Sequence, residues 1–330
     1  MRRNTEPHHT SRRTHTMRFY RILCLVCLVD PFFGQDVPTS SPASQAPPSI
    51  QSASPAAAAF GLKPDASGTV PQEQIRELLR RAAEKDLENE KRLRDYTYIQ
   101  REEEHKLDGQ GKVKKVESRT SEVLVIYGEQ VERLVAKDDK PLSAEETKKE
   151  EQRIQKITDK RKNESDSDRR KRLEKEEKER ADGRKFVLEI ADAYTFRLIG
   201  SELLEGRDTW ALEAEPRAGY EPKSREAKML PKLRGRIWID KTEMQWMKVD
   251  VITTDTISFG LFLARVHKGT HIVFEATRVN EEVWLPKHVV FHIDVRLALL
   301  KNFNEEVEQT FRDYKKFRTE TKFTVVGETQ

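Results

Sequence analysis

The sequence predicts an α+β fold: a large curved antiparallel sheet with helices over one face and a charged helical segment inserted between its strands. Two observations carry most of this. From Arg234 to Phe311 apolar and polar residues alternate; Met247, Val249 and Val251, then Ile272, Phe274 and Ala276, then Leu285, Val289, Phe291, Ile293 and Val295 each fall on one side of their run. A period of two places one apolar and one wet face on each strand, the signature of antiparallel pairing. Between Glu145 and Arg180, by contrast, 26 of 36 residues are charged, 14 basic and 12 acidic. That stretch cannot be part of a buried sheet.

Residues 1–35 read as an export signal. Arg18 and Arg21 precede the apolar run Ile22–Val29, and Met17 is a possible start. Eight apolar residues are too few to cross a bilayer, which takes about 20, so the run is a signal core and no transmembrane span is expected in the mature form. Cys24 and Cys27 sit inside this run. Their C-x-x-C spacing therefore assigns neither metal nor redox chemistry to the mature chain. Residues 36–68, rich in Pro, Ser and Ala, bury too little apolar area to offset their ordering entropy and read as a disordered leader.

Residues 69–144 should hold the N-terminal helix and the first strands. Thr69-Val-Pro-Gln72 has the form of a capping box, and Ile75, Leu78, Leu79, Ala82 and Ala83 follow at helical spacing. Tyr96 and Tyr98 open the first strand on one side, and Asp108-Gly-Gln-Gly111 supplies a hairpin turn. Ser143-Ala-Glu-Glu146 is a second capping box. It opens the insertion of residues 145–180, where Glu145 with Lys149 and Glu174 with Lys178 stand i, i+4 in the favourable order for a solvated helix. Asn163–Asp168 should interrupt that helix, and order should resume at Phe186. Residues 181–330 supply the remaining strands of the same domain, through hairpins around Glu205-Gly-Arg207, Lys241-Thr-Glu243 and Asn280-Glu-Glu282, with a last strand near Lys322–Val326.

The chemistry-bearing candidates reduce to structural readings. His267, His271, His288 and His292 form two H-x-x-x-H spacings. On a strand, residues four apart lie about 13 Å from one another, too far to share a metal. Surface histidines and no metal site are expected. No nucleophile elbow, zinc-protease motif, phosphate loop or dinucleotide fingerprint is present. Arg169-Arg-Lys-Arg172 is neutralised by Glu174, Glu176, Glu177 and Glu179, and the net charge of +4 is dispersed, so no nucleic acid is expected as partner. Trp238, Trp246 and Trp284 fall opposite the aliphatic side of their strands, where packing is the expected role. No cofactor and no enzymatic activity are expected.

Gly235-Arg-Ile-Trp-Ile-Asp240, a turn, Met247-Lys-Val-Asp-Val251, Phe274-Glu-Ala276 and Val283-Trp-Leu-Pro286 follow one another in an order that resembles the repeated hairpins of the LolA-like superfamily. This family comprises bacterial outer-membrane lipoprotein-sorting carriers and RseB-like periplasmic proteins. The resemblance implies an unclosed β-barrel with an apolar cavity for acyl chains. Together with the residues, it leads to the expectation of an exported binding protein, periplasmic in a diderm host, that carries or senses a lipid or lipoprotein acyl chain. Met247, Val249, Phe274, Leu285, Phe291 and Ile293 would line the cavity, with Phe259, Leu261 and Phe262 as a flap. The alternative is an envelope scaffold or stress sensor with a packed sheet, whose charged arm contacts an envelope protein.

Overall fold

The computed structural model describes residues 61–317 apart from 67, 225, 260–263 and 298–300. The expected signal, most of the leader, Leu261, Phe262 and the strand near Lys322–Val326 lie outside the described residues. In chain order the elements are α1 (Gln72–Leu93), β1 (Tyr96–Leu107), β2 (Val113–Ile126), β3 (Glu129–Lys137), β4 (Lys140–Pro141), α2 (Ala144–Lys162), α3 (Asp166–Ala193), β5 (Tyr194–Leu204) and β6 (Arg207–Pro216). A 3₁₀ helix (Glu226–Lys232) precedes β7 (Leu233–Asp240), β8 (Trp246–Thr253), β9 (Ile257–Phe259), β10 (Ala264–Val266), β11 (His271–Val279), β12 (Val283–Leu297) and β13 (Lys301–Lys316).

The strands form one antiparallel sheet in the order β4-β3-β2-β1-β13-β12-β11-β8-β7-β6-β5, with the β9–β10 hairpin attached to the end of β12. Two meanders, β1–β4 and β5–β13, are joined where the last strand pairs with the first. The sheet is open, with β4 and β5 at its edges, and is not closed into a barrel. Asp108 holds the first hairpin as the turn residues predict, accepting from the Gln110 and Lys112 N–H groups through its carboxylate, with Gly111 at φ +77°.

α1 forms because Ile75, Leu78, Leu79, Ala82 and Ala83 recur on one side and are buried. The expected cap is corrected. The helix begins at Gln72 behind Pro71, with no side-chain cap. Gln72 instead spends its amide on the free edge of β5: Oε1 accepts from Phe196 N–H at 3.0 Å and Nε2 donates to the Phe196 carbonyl. An edge strand leaves such groups unpaired, and one amide side chain satisfies both.

At the other edge the charged helix does similar work. Ser143 caps α2 with the expected capping box. No side chain of α2 is buried, yet Glu150 accepts from the Leu134 N–H at 2.8 Å and Arg153 donates to the Glu132 carbonyl. β4 pairs only with Ala136 and Lys137, so these groups of β3 face outward. Lys137–Glu146 and Arg161–Glu129 ion pairs, at 2.6 and 2.5 Å, fasten the helix further. Asn163 ends α2 and Ser165 caps α3, at the predicted interruption. Phe186 is corrected from a point where order resumes to the interior of α3, a single helix whose last turns bury Phe186, Glu189, Ala191 and Ala193 in the core.

Candidate functional site

Directly opposed residues of antiparallel strands share a face. Val249, Phe274 and Val289 are opposed across β8, β11 and β12, and Val251, Ile272, Phe291 and Val307 form the next row. Of the six residues proposed from sequence, Met247, Phe274, Leu285 and Phe291 belong to one buried cluster with Val289, Val307, Phe311, Tyr98 and Val123; Val249 packs against its edge. The alternation is not unbroken. Register shifts opposite Trp238/Ile239 and at Glu275/Ala276 interrupt the ladders beside Met247 and before Leu285. Both side chains nonetheless reach the same cluster. The backbone of Ile293 pairs with Glu305, and its side chain lies outside the described residues, as does that of Phe259, which ends β9.

A second cluster lies over β5–β8 and is covered by helices: Ile75, Leu78, Leu79, Ala82 and Ala83 of α1 and Phe186 of α3 pack on Phe196, Leu212, Ile237 and Ile239. The cluster over β11–β13 and β1–β2 differs. Among the described residues its buried members include a single helical side chain, Leu93. Even so, Phe291 is 2% and Leu285 1% exposed.

Beside this apolar block the same face turns polar within one row. Val289 is opposed by Gln309, Gln309 by Glu102 and Glu102 by Arg119. Gln309 Nε2 donates to Glu102 Oε2 at 2.7 Å, and Arg119 Nη1 stands 3.8 Å from Glu102 Oε1. Burial, outweighing the Gln309 amide and Arg119, holds the Glu102 carboxyl above the usual carboxylate range. From sequence, only Tyr96 and Tyr98 were placed on this side of β1; continuing their period of two places Gln100 and Glu102 on the inner face.

The motif residues that carry the family resemblance serve the fold. Asp240 accepts from the Thr242 and Glu243 N–H groups of the β7–β8 turn and pairs with Arg207 at 2.7 Å. Trp284 donates from Nε1 to Glu243 at 2.8 Å, its N–H meets Asn89 of α1, and Arg207 lies over its ring. Trp238, buried on the outer face, donates to Glu202 at 2.7 Å. These tryptophans staple turns and hairpins. Three of the four histidines lie against carboxylates, His271 with Asp250 at 2.6 Å, His288 with Glu308 at 2.8 Å and His292 with Glu306 at 3.7 Å, while the buried His267 Nε2 meets no hydrogen-bond partner among the described residues. Register brings His271 opposite His292, a proximity invisible to spacing along one strand. Among the described residues no group of three or more His, Cys, Asp or Glu could hold a metal ion. Nor is any of their helices long and apolar enough to cross a membrane, which says nothing of spanning by strands.

A groove of about 740 Å³ lies away from the apolar face, walled by Asp159, Arg161, Asn163, Glu164, Ser165 and Arg172 between α2 and α3. Most of the side chains that wall it are charged.

No protein-family model and no curated protein matches the chain. Among solved structures it is similar to a DUF1329 family protein from Desulfovibrio piger, at 12% identity over 76% of this chain and 95% of that one, with a TM-score of 0.28. A putative outer membrane lipoprotein-sorting protein domain from Vibrio parahaemolyticus matches at 13% identity over 73% and 95%, TM-score 0.27. A LolA superfamily protein from Nitrosomonas europaea matches at 8% identity over 73% and 92%, TM-score 0.25. Likenesses at this level say nothing of a ligand.

Proposed function

We propose that this chain is an exported, non-enzymatic binding protein that takes up a lipid or lipoprotein acyl chain on the inner face of β11–β13 and β1–β2. The supporting observation is the uneven cover of the sheet. The β5–β8 half is sealed by α1 and α3, whereas the cluster holding Met247, Phe274, Leu285 and Phe291 has only Leu93 from a helix among its described buried members. An apolar wall of this kind, met by one helix end, suits a ligand that is mostly hydrocarbon. Export rests on Arg18, Arg21 and the apolar run Ile22–Val29.

Burial of Phe291 and Leu285 favours a second reading, in which the sheet is packed throughout and the α2–α3 hairpin contacts an envelope protein. One experiment separates the two. Protein purified from its producing envelope is analysed by native mass spectrometry and titrated with a fluorescent fatty acid. Co-purifying lipid and saturable probe binding, abolished in a folded Phe291→Asp variant, support the carrier. Absence of both removes it and leaves the scaffold.

A further inference from the structure

We propose that the polar strip formed by Gln100, Glu102 and Gln309 is a head-group site that selects apolar chains ending in a nitrogen hydrogen-bond donor, an amine or an amide N–H. This rests on the acyl-chain reading above and names the chemistry of the end that the apolar wall cannot recognise. Gln309 is 3% and Gln100 4% exposed. Gln309 Nε2 donates to Glu102 Oε2 at 2.7 Å, which turns the amide oxygen away from that carboxyl group. That oxygen accepts no hydrogen bond from the described residues, and neither does Gln100 Oε1.

A buried acceptor left unpaired costs about 1–3 kcal/mol. Here two lie on neighbouring strands, two residue pairs apart in register and on the same face, with Phe311 opposite Gln100 and Val289 opposite Gln309. Beside the apolar wall at this point two amide oxygens are left without a hydrogen bond, and the one cation of the row, Arg119, already faces Glu102. A ligand carboxylate or phosphate would meet carbonyl oxygens and a like charge. A nitrogen donor would meet partners for each of its hydrogens, and a cationic amine would also meet the Glu102 carboxylate.

The test is displacement of a bound dansyl-labelled C12 chain by dodecylamine and by laurate, each below its micellar concentration. Wild-type protein should release the label at a tenfold or more lower concentration of dodecylamine than of laurate. Gln100→Met, close in shape and without the acceptor, should bring the two concentrations together by severalfold while still binding the label. Glu102→Gln, with circular dichroism to confirm folding, should do the same. Equal displacement by both competitors in wild type would overturn the head-group site and leave the carrier standing. So would a preference that survives in both variants, which would point to a bound water or general charge effects. Failure of the label to bind wild type at all would remove the carrier reading and this inference with it.

Discussion

Asp86 is half-buried on α1, one turn after the buried Ala82 and Ala83 and one turn before the buried Asn89, on the side of the helix that faces the sheet. Burial, reinforced by the like charge of Glu90, pushes its carboxyl up to about 7 from an ordinary value of 3.8. The folded state therefore holds this proton where the unfolded chain has released it. The stabilisation is fully present below the unfolded pKa and is lost as pH rises through the folded one. Every tenfold difference in proton affinity between the two states corresponds to about 1.4 kcal/mol. The penalty for ionised Asp86 should thus grow by about 2–3 kcal/mol between pH 5 and pH 8. Asp86→Asn, which keeps the shape and removes the titration, should unfold at higher urea than wild type at pH 8 and show a much smaller advantage at pH 5. Other groups titrate over the same range, so the informative quantity is the difference between variant and wild type at each pH. A difference that stays constant from pH 5 to pH 8 would show that Asp86 is solvated and that α1 does not seat it against the sheet.

Phe291→Ala should lower stability by about 3–5 kcal/mol in chemical denaturation, because the ring is 2% exposed and its loss leaves a cavity in the cluster; a loss below 1 kcal/mol would mean that the apolar face is loosely packed. Gly235→Ala should destabilise by several kcal/mol, since an added Cβ collides with the backbone of Asp250 and lies 2.7 Å from Val251 Cα where β7 and β8 approach; normal expression and an unchanged Tm would count against that strand pairing. Glu150→Ala should change the unfolding midpoint little but promote self-association by exposing the Leu134 N–H on the edge of β3, measured by sedimentation velocity at rising concentration. A strictly monomeric variant would show that the ion pairs of α2 protect the edge without Glu150. Arg172→Met should loosen the α2–α3 hairpin from β3, because Glu129 and Glu164 would be left to share Arg161 as their one cation, and hydrogen exchange of 144–175 should quicken severalfold with little change over β11–β13.

The fold class was legible because alternation and helical periodicity are local properties. The runs ending in Val251, Ala276 and Val295 each announce a strand with one apolar side, and Ile75–Ala83 a helix that must cover something. Ser143 and Glu146 form a cap within four residues, so that motif too survives translation into structure. Thr69-Val-Pro-Gln72 failed as a cap because its last residue found a better use 124 positions away, on the edge of β5. That choice depends on where the edge lies, which only the assembled sheet decides. The same holds for the charged helix: its sequence reports solvation, and only the position of β3 shows that Glu150 and Arg153 satisfy an exposed strand edge. The apolar residues of the candidate site could be listed from their periods. Gln100, Glu102 and Gln309 could not, because the pairing of β1 with β13 spans about two hundred residues, and no local pattern encodes which polar side chains that register will bury together.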